Sequence, residues 1–371
     1  MSQQLSATNT SKAGRLAFID WTRGLAAVIM LQGHVFHSFT RTDLRDGGAY
    51  VLSQFLGGLP PAIFLFLLGI TLAFRLDSRE RQGAPPWARV WAGLRRAGFL
   101  LGVAFLFRFQ LWLFAWPYSP WTDLLKVDIL NAMALAVAVL SLLGLFPTAD
   151  RVRLAAGTGL AIAAASPLVS QLSWDGVPSV IRSYLAPDIQ AFAFFPWAAF
   201  VAFGLSAGSI LRLLKPDQTE RAIQWAALLG FGLMLAGQYF SNLPYSLYSK
   251  SEFWLDSPWQ ILMKLGVILL VLAFAYLWTR QPVAQTRWSW VRQFGTTSLL
   301  VYWVHVELVY GRWLWFWKEN LTAAQAALVA LSVILLMLGL SVLKTRWLAR
   351  RDWNLAARWK LLWARRVPVE Q

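Results

Sequence analysis

Residues 15–39 read RLAFIDWTRGLAAVIMLQGHVFHSF. About 20 mostly apolar residues in a helix cross the ~30 Å hydrocarbon layer of a bilayer, so the stretch is long enough to span. Yet it carries Asp20, Arg23, His34 and His37. With Ala27 and Met30, these residues follow one another at steps of three and four, and a helix places all six on one face. An ionisable group inside a span costs at least about 2.5–3.5 kcal/mol on insertion. Such a stripe cannot face lipid unpaired; it must look into a bundle of other helices.

Outward from this stretch the sequence supplies those helices. Nine further runs have spanning length, at 52–75, 93–116, 124–146, 151–171, 189–212, 222–241, 257–280, 289–316 and 321–345. The composition agrees: 57% of the 371 residues are hydrophobic and 14% charged, with a mean hydropathy of +0.50. Soluble domains carry about 25% charged residues. The 22 Trp, many beside apolar runs, suit rings held at headgroup level. There is no Cys, which excludes disulfides, thiolate catalysis and Cys-ligated metal. The expected fold is an all-α, polytopic integral membrane helical bundle of about ten transmembrane helices.

Charge sets its orientation. With the N-terminus in the cytoplasm, 24 of the 34 Lys and Arg fall on inner segments, eight on outer ones, and Arg23 and Arg108 within spans. That asymmetry recurs loop by loop and puts both termini in the cytoplasm. It also accounts for the net charge of +16 without nucleic acid. The expected divisions are a cytoplasmic tail (1–15), a ten-helix transmembrane domain (16–345) and a basic cytoplasmic tail (346–371). In the last, Trp347, Trp353, Trp359 and Trp363 alternate with Arg and Lys as in an amphipathic helix on an anionic leaflet. The polar first fourteen residues lack an apolar run, so no cleaved signal peptide is expected.

Arg23 and His34 stand eleven residues apart, about 16 Å along a helix. Arg23 therefore lies near the cytoplasmic end and His34 towards the outer end. His305, the third His, falls in the outer half of the ninth span with Tyr302 one turn away, while Glu307 points elsewhere. Arg108 and Asp128 come at similar depth, so His34, His37, Arg108, Asp128 and His305 suggest one polar site in the outer half. Structural alternatives are an Asp20–Arg23 pair anchoring the helix start, histidines bonded to backbone, and an Arg108–Asp128 pair. His34 and His37 are spaced for a shared metal, but no carboxylate partners can be placed, and no metal is expected.

The opening RLAFIDWTRGLAAVIMLQGH resembles the R-x4-D-x2-RG-x-A…H signature of membrane-bound acyltransferases. Four further pieces occur in the same order: PAIFLFLLGITLAF (61–74), VDILNAMALA (127–136), FFPWAAFVAFGLSAG (194–208) and GTTSLLVYWVHVELVYG (295–311). The last two point to the heparan-α-glucosaminide N-acetyltransferase-like branch. The resemblance implies transfer of an acetyl or other acyl group from cytoplasmic acyl-CoA, with no metal, to a hydroxyl or amine of a glycan or glycolipid across the membrane. It implies as partners acyl-CoA, that acceptor and the lipid bilayer, and a homodimer is compatible with it; a bacterial inner membrane is expected from the short chain, the absence of glycosylation-rich loops and the lack of a targeting segment. Arg23, with the loop residues Arg95 and Arg96, would hold the nucleotide phosphates, and the pantetheine arm would follow the polar face of the first span.

In that scheme His34 is the base or transient acyl carrier, with His37 as alternate and Asp20 orienting Arg23. Tyr302, His305, Arg108 and Asp128 would bind acceptor or stabilise the oxyanion. One departure stands out. In lysosomal members a reactive His is expected in the loop after the first helix, and residues 40–51 (TRTDLRDGGAYV) contain none. Direct transfer and an acyl-His intermediate both stay open, as do N- and O-acylation. The competing class is a secondary transporter or exporter of a polar or anionic solute, which would also bury such groups. It should show broken helices in both halves; GLPPAIF (58–64) interrupts one, and the second half offers no visible partner.

Overall fold

Proline and glycine punctuate the apolar runs and set where helices begin. Helices α3 (Pro60–Arg81), α4 (Pro86–Ala115) and α10 (Pro258–Arg280) all start on Pro, whose missing N–H falls where a helix has no use for it. The other helices are α1 (Ser2–Phe39), α2 (Gly48–Gly57), α5 (Ile129–Leu140), α6 (Thr148–Ser170), α7 (Ser179–Leu185), α8 (Phe194–Leu213), α9 (Thr219–Ser241), α11 (Pro282–Thr286), α12 (Trp290–Thr296), α13 (Ser298–Tyr310) and α14 (Ala323–Ala364). This computed structural model describes the backbone over residues 2–189 and 191–364, and side chains over 17–189, 191–285 and 287–348. Among the described residues there is no strand beyond a single bridge pairing Thr40 with Leu321.

Among the described residues, eight segments are long and apolar enough to cross a membrane, and they coincide with the second to eighth and the tenth expected spans. The chain is a multi-pass, all-helical integral membrane protein. The first and ninth expected spans fall outside these eight. Helix α1 is long, but its polar stripe dilutes its hydropathy. The ninth span is broken: Thr297 leaves the helical region at φ −119°, ψ 15°, dividing α12 from α13. Its hydroxyl bonds Gln293 O (2.9 Å) and Ser341 Oγ (2.8 Å), an alternative to the helical ladder. Helix α13 then stops at Tyr310 rather than 316.

Small residues bring the helices together. A Cβ on Gly204 of α8 would sit 1.9 Å from Phe66 O of α3, and one on Gly295 of α12 would sit 1.8 Å from Asp20 O of α1. Backbones therefore touch at both joints, as in close-packed membrane helices. Around them, one buried cluster joins α1, α3, α5, α6, α8 and α10, and a second joins α1, α13 and α14.

The expected tail boundaries do not interrupt helices. Helix α1 already covers most of 1–15, and α14 runs on to Ala364. The Trp347 side chain is exposed. Those of Trp353, Trp359 and Trp363 lie outside the described residues, as does the amphipathic reading built on them.

One end of the bundle holds an ionic lattice that pattern alone did not reveal. Asp77, buried in α3, accepts from Arg81 Nε (2.8 Å), Arg212 Nε (2.5 Å) and Thr148 Oγ1 (3.0 Å). Glu80, one turn on, pairs with Arg151 (2.8 Å) and Arg89 (3.0 Å). This is the basic end of the molecule; His34, Tyr310 and the start of α3 lie towards the opposite end.

Candidate active site

Helix α1 and the proline-started α3 diverge around a cavity of about 700 Å³ that α4, α5 and α13 close. Its polar groups gather at the two ends. Arg23, Arg75 and Arg96 line it at the basic end; His34, Tyr302 and Tyr310 line it towards the other. Between them the wall is apolar, from Phe64, Leu68, Leu72, Phe99, Leu100, Met133 and Val137. Of the six-residue stripe on α1, only Arg23, Met30 and His34 reach this space; Ala27 is packed into the second core cluster. The expected polar track along α1 is thus mostly an apolar channel with charged and hydroxyl ends.

At the basic end Arg23 Nη1 donates to Asp20 Oδ1 at 3.0 Å, so Asp20 serves the arginine. It cannot also serve His34, fourteen residues and about 21 Å along the helix. Arg96 lies on α4, which begins at Pro86, and not in a loop as the sequence reading had it. Its guanidinium is close enough to Arg75 and Arg23 for their charges to act on it. Of the carboxylates at this end, Asp20 is taken by Arg23, and Asp77 and Glu80 by their own lattice. Arg75 and Arg96 therefore meet the cavity without a carboxylate partner among the described residues. Arg95 turns away, its guanidinium 5.8 Å from the Trp91 ring centroid, and it does not line the cavity. Arg75, unremarked in the sequence, stands where Arg95 was expected. The clue was available: Arg75 closes the apolar run of α3 on the face of Leu68 and Leu72.

At the other end the two expected histidines meet. His34 Nδ1 lies 2.9 Å from His305 Nε2, and His305 Nδ1 lies 2.7 Å from Val301 O. A carbonyl only accepts, so His305 donates from Nδ1, and its neutral ring accepts at Nε2. His34 must then donate from Nδ1, which leaves the lone pair of its Nε2 without a use in the relay. His305 is fully buried, while His34 is half-buried on the cavity wall. The Tyr302 ring stands 5.9 Å from His305, and the Tyr310 ring 5.2 Å from His34.

His37 is exposed one turn further out and off the cavity; Tyr310 Oη lies 3.3 Å from its Nδ1. The rim here is fastened. Ser38 Oγ donates to Val309 O at 2.9 Å, and Lys318 Nζ donates to Ser38 Oγ at 2.7 Å and to Val309 O. Partial burial of Lys318 lowers its pKa from the ordinary lysine value.

Arg108 and Asp128 pair at 3.4 Å, but Asp128 is chiefly the cap of α5. Its Oδ1 accepts from Leu130 N (2.9 Å) and Asn131 N (3.3 Å), while Asn131 Oδ1 accepts from Asp128 N (3.2 Å). Neither Arg108 nor Asp128 lines the cavity. The five ionisable groups expected at one depth thus separate: His34 and His305 pair at the cavity, Arg108 and Asp128 form a capped ion pair behind it near Tyr302, and His37 stands apart at the rim. Glu307, which the spacing turned elsewhere, accepts from Gln110 (3.0 Å) and Trp313 (3.0 Å).

No curated protein matches the sequence closely enough to be compared. A family model, described as heparan-alpha-glucosaminide N-acetyltransferase, catalytic, matches residues 15–239. That is more than half of the chain, and it spans Arg23, His34, Arg75, Arg96, Arg108 and Asp128; Tyr302 and His305 lie beyond it. The arginine-ended, histidine-ended cavity is therefore formed largely by the matched region, and the chain belongs to the heparan-alpha-glucosaminide N-acetyltransferase catalytic family.

Proposed function

We propose that the protein is a membrane acyltransferase that takes an acetyl or other acyl group from acyl-CoA at its cytoplasmic face and passes it to a hydroxyl or amine of a glycan or glycolipid on the far side. The observation that carries this is the single cavity with three arginines at one end and the base-ready edge of His34 at the other. In this reading the basic end is cytoplasmic, α1 and the α12–α13 pair complete ten crossings, and the membrane is a bacterial inner membrane. Residues 16–345 are then one catalytic unit between two cytoplasmic tails.

The residues fit an acyl-CoA donor. Arg23, Arg75 and Arg96 are like charges held close together, an arrangement that a polyphosphate relieves. The apolar middle suits a pantetheine arm and acyl chain. Asp20 positions Arg23 and takes no part in the chemistry. At the far end His34 Nε2 removes the proton of the acceptor hydroxyl or amine as its oxygen or nitrogen attacks the thioester carbonyl. The carbonyl–sulfur bond then breaks, and the proton returns to the departing thiolate. His305 fixes the tautomer that makes Nε2 the base, and buried Val301 O fixes His305. Tyr302 and Tyr310 are positioned to donate to the developing oxyanion or to the acceptor. Direct transfer needs nothing more; an acyl group carried on His34 Nε2 would use the same atom.

One observation favours transport as a second reading. A second break stands beside the GLPPAIF one: α2–α3 is interrupted before Pro60 and α12–α13 at Thr297, with α2, α3 and α13 bordering the cavity. The two readings separate on one assay, release and transfer of labelled acetyl from acetyl-CoA by purified protein in nanodiscs. The acyltransferase consumes the donor, and His34→Gln abolishes turnover while acetyl-CoA still binds. A transporter moves solute and leaves acetyl-CoA intact in both proteins.

A further inference from the structure

A second concavity, of about 360 Å³, opens at the basic end outside the cavity described above, between α1, the last turn of α10, α11 and α12. Four indoles surround it, from Trp21, Trp278, Trp288 and Trp290, together with the guanidinium-bearing Arg287 and Arg292, and its lining contains no acidic side chain. Nearby Arg280 is already neutralised by Glu220 at 2.7 Å. Arg287 and Arg292 have no such ion pair among the described residues. Three of the indoles are largely exposed, Trp278 by 50%, Trp288 by 64% and Trp290 by 46%. Phe274, one turn deeper on α10, continues the aromatic surface: its ring stacks 6.2 Å from Trp278 and stands 5.6 Å from Trp21.

We infer that this is a binding site for the headgroup of an anionic phospholipid. Indoles beside arginines, where helices end, match the chemistry of the headgroup layer. Guanidinium groups and indole N–H groups donate to a phosphodiester, and the rings cover glycerol. The exposed track from Trp278 to Phe274 runs towards the membrane interior, where the first acyl carbons lie. A soluble polyanion would gain nothing from that track, and the donor cavity already offers a separate arginine cluster. The site rests on the reading of the basic end as the cytoplasmic face.

Its position links it to the donor mouth. Trp21 precedes Arg23 by two residues, and Val291, also in the lining, has its carbonyl 1.8 Å from where a Cβ on Gly24 would stand. The lipid therefore sits across the α1–α12 joint. Arg292 also acts electrostatically on Asp20, the partner of Arg23. A bound phosphate satisfies Arg292 and leaves Asp20 to Arg23.

The test uses the full-length protein in detergent, without acyl donor, so that it stands apart from the donor reading. Native mass spectrometry compares retention of phosphatidylglycerol and phosphatidylcholine by wild type, by Arg287→Gln/Arg292→Gln and by the single exposed-site variant Arg287→Gln. Wild type should retain phosphatidylglycerol over phosphatidylcholine, and the double variant should lose about thirty-fold of that preference, as two arginines near the headgroups imply. The single variant, which leaves the joint untouched, should lose part of it. Equal retention of both lipids by wild type would overturn the site, as would a preference that survives in both variants. Displacement of phosphatidylglycerol by CoA would also overturn it, by assigning the pocket to the nucleotide. Failure of acetyl-CoA to bind the arginine cavity would leave these comparisons intact.

Discussion

His34 is the residue on which the proposed chemistry turns, and its role follows from a neighbour rather than from its own spacing. Val301 O can only accept, so the proton positions along His305 and His34 are determined in sequence, and the lone pair ends at His34 Nε2. Removing a positioned base costs about 10²–10⁴-fold, so His34→Gln should lower transfer by that much without weakening acetyl-CoA binding, checked by turnover and equilibrium binding on one preparation. His305→Phe leaves His34 Nδ1 without its acceptor and frees the ring to flip. A loss of about tenfold or more in turnover is expected, with donor affinity unchanged. His37→Ala should leave both quantities near wild type, because His37 is exposed at the rim and off the cavity. A large loss there would move the chemistry outward.

Among the elements, the joints between helices are set by missing side chains. Gly204 meets Phe66 O at a distance that admits no Cβ, so Gly204→Leu must separate α8 from α3. Overpacking of this kind costs about 1–3 kcal/mol or more, and a lowered melting temperature in detergent should report it. The Asp128 cap of α5 makes a different case. Asp128→Ala removes the oxygen that accepts from two backbone N–H groups, and the partner of Arg108, and should cost about 0.5–2 kcal/mol of stability. Because the ion pair lies off the cavity, acetyl-CoA affinity should change little. If that affinity instead collapsed with folding intact, Asp128 would belong to the binding site. These elements also show what was legible beforehand. Apolar length located eight segments among the described residues, with ends off by as much as seven residues, because lipid demands that length of any helix. Pattern could not show that Thr297 would break the ninth span, since its hydroxyl is drawn to Ser341 on a helix distant in sequence. Nor could it separate Arg108–Asp128 from the histidines: equal depth does not fix position around the bundle. Arg95 and Arg75 exchanged places for the same reason, because which arginine faces inward depends on how α3 and α4 rotate against their neighbours.

At the scale of the whole molecule, the cavity places three arginines and a histidine at opposite ends of one apolar passage, which the proposed function reads as a phosphate cluster and a base. The ionic lattice around Asp77 and Glu80 brackets the arginine end and keeps its acidic groups engaged, so that Arg75 and Arg96 are left to a ligand. Asp77→Asn should therefore have a double effect. It costs about 1.5–3 kcal/mol by removing the charge of the buried acceptor that Arg81, Arg212 and Thr148 share, seen as a lower melting temperature, and it loosens the arginine end of the cavity. The most direct test of the donor passage is a structure of the protein bound to a non-hydrolysable acetyl-CoA analogue. Phosphates are expected against Arg23, Arg75 and Arg96, with the carbonyl carbon at reach of an acceptor held by His34 Nε2, at reacting separations of about 3–3.5 Å. An analogue seated elsewhere, or one whose acyl end stops at the arginines and never approaches His34, would contradict it.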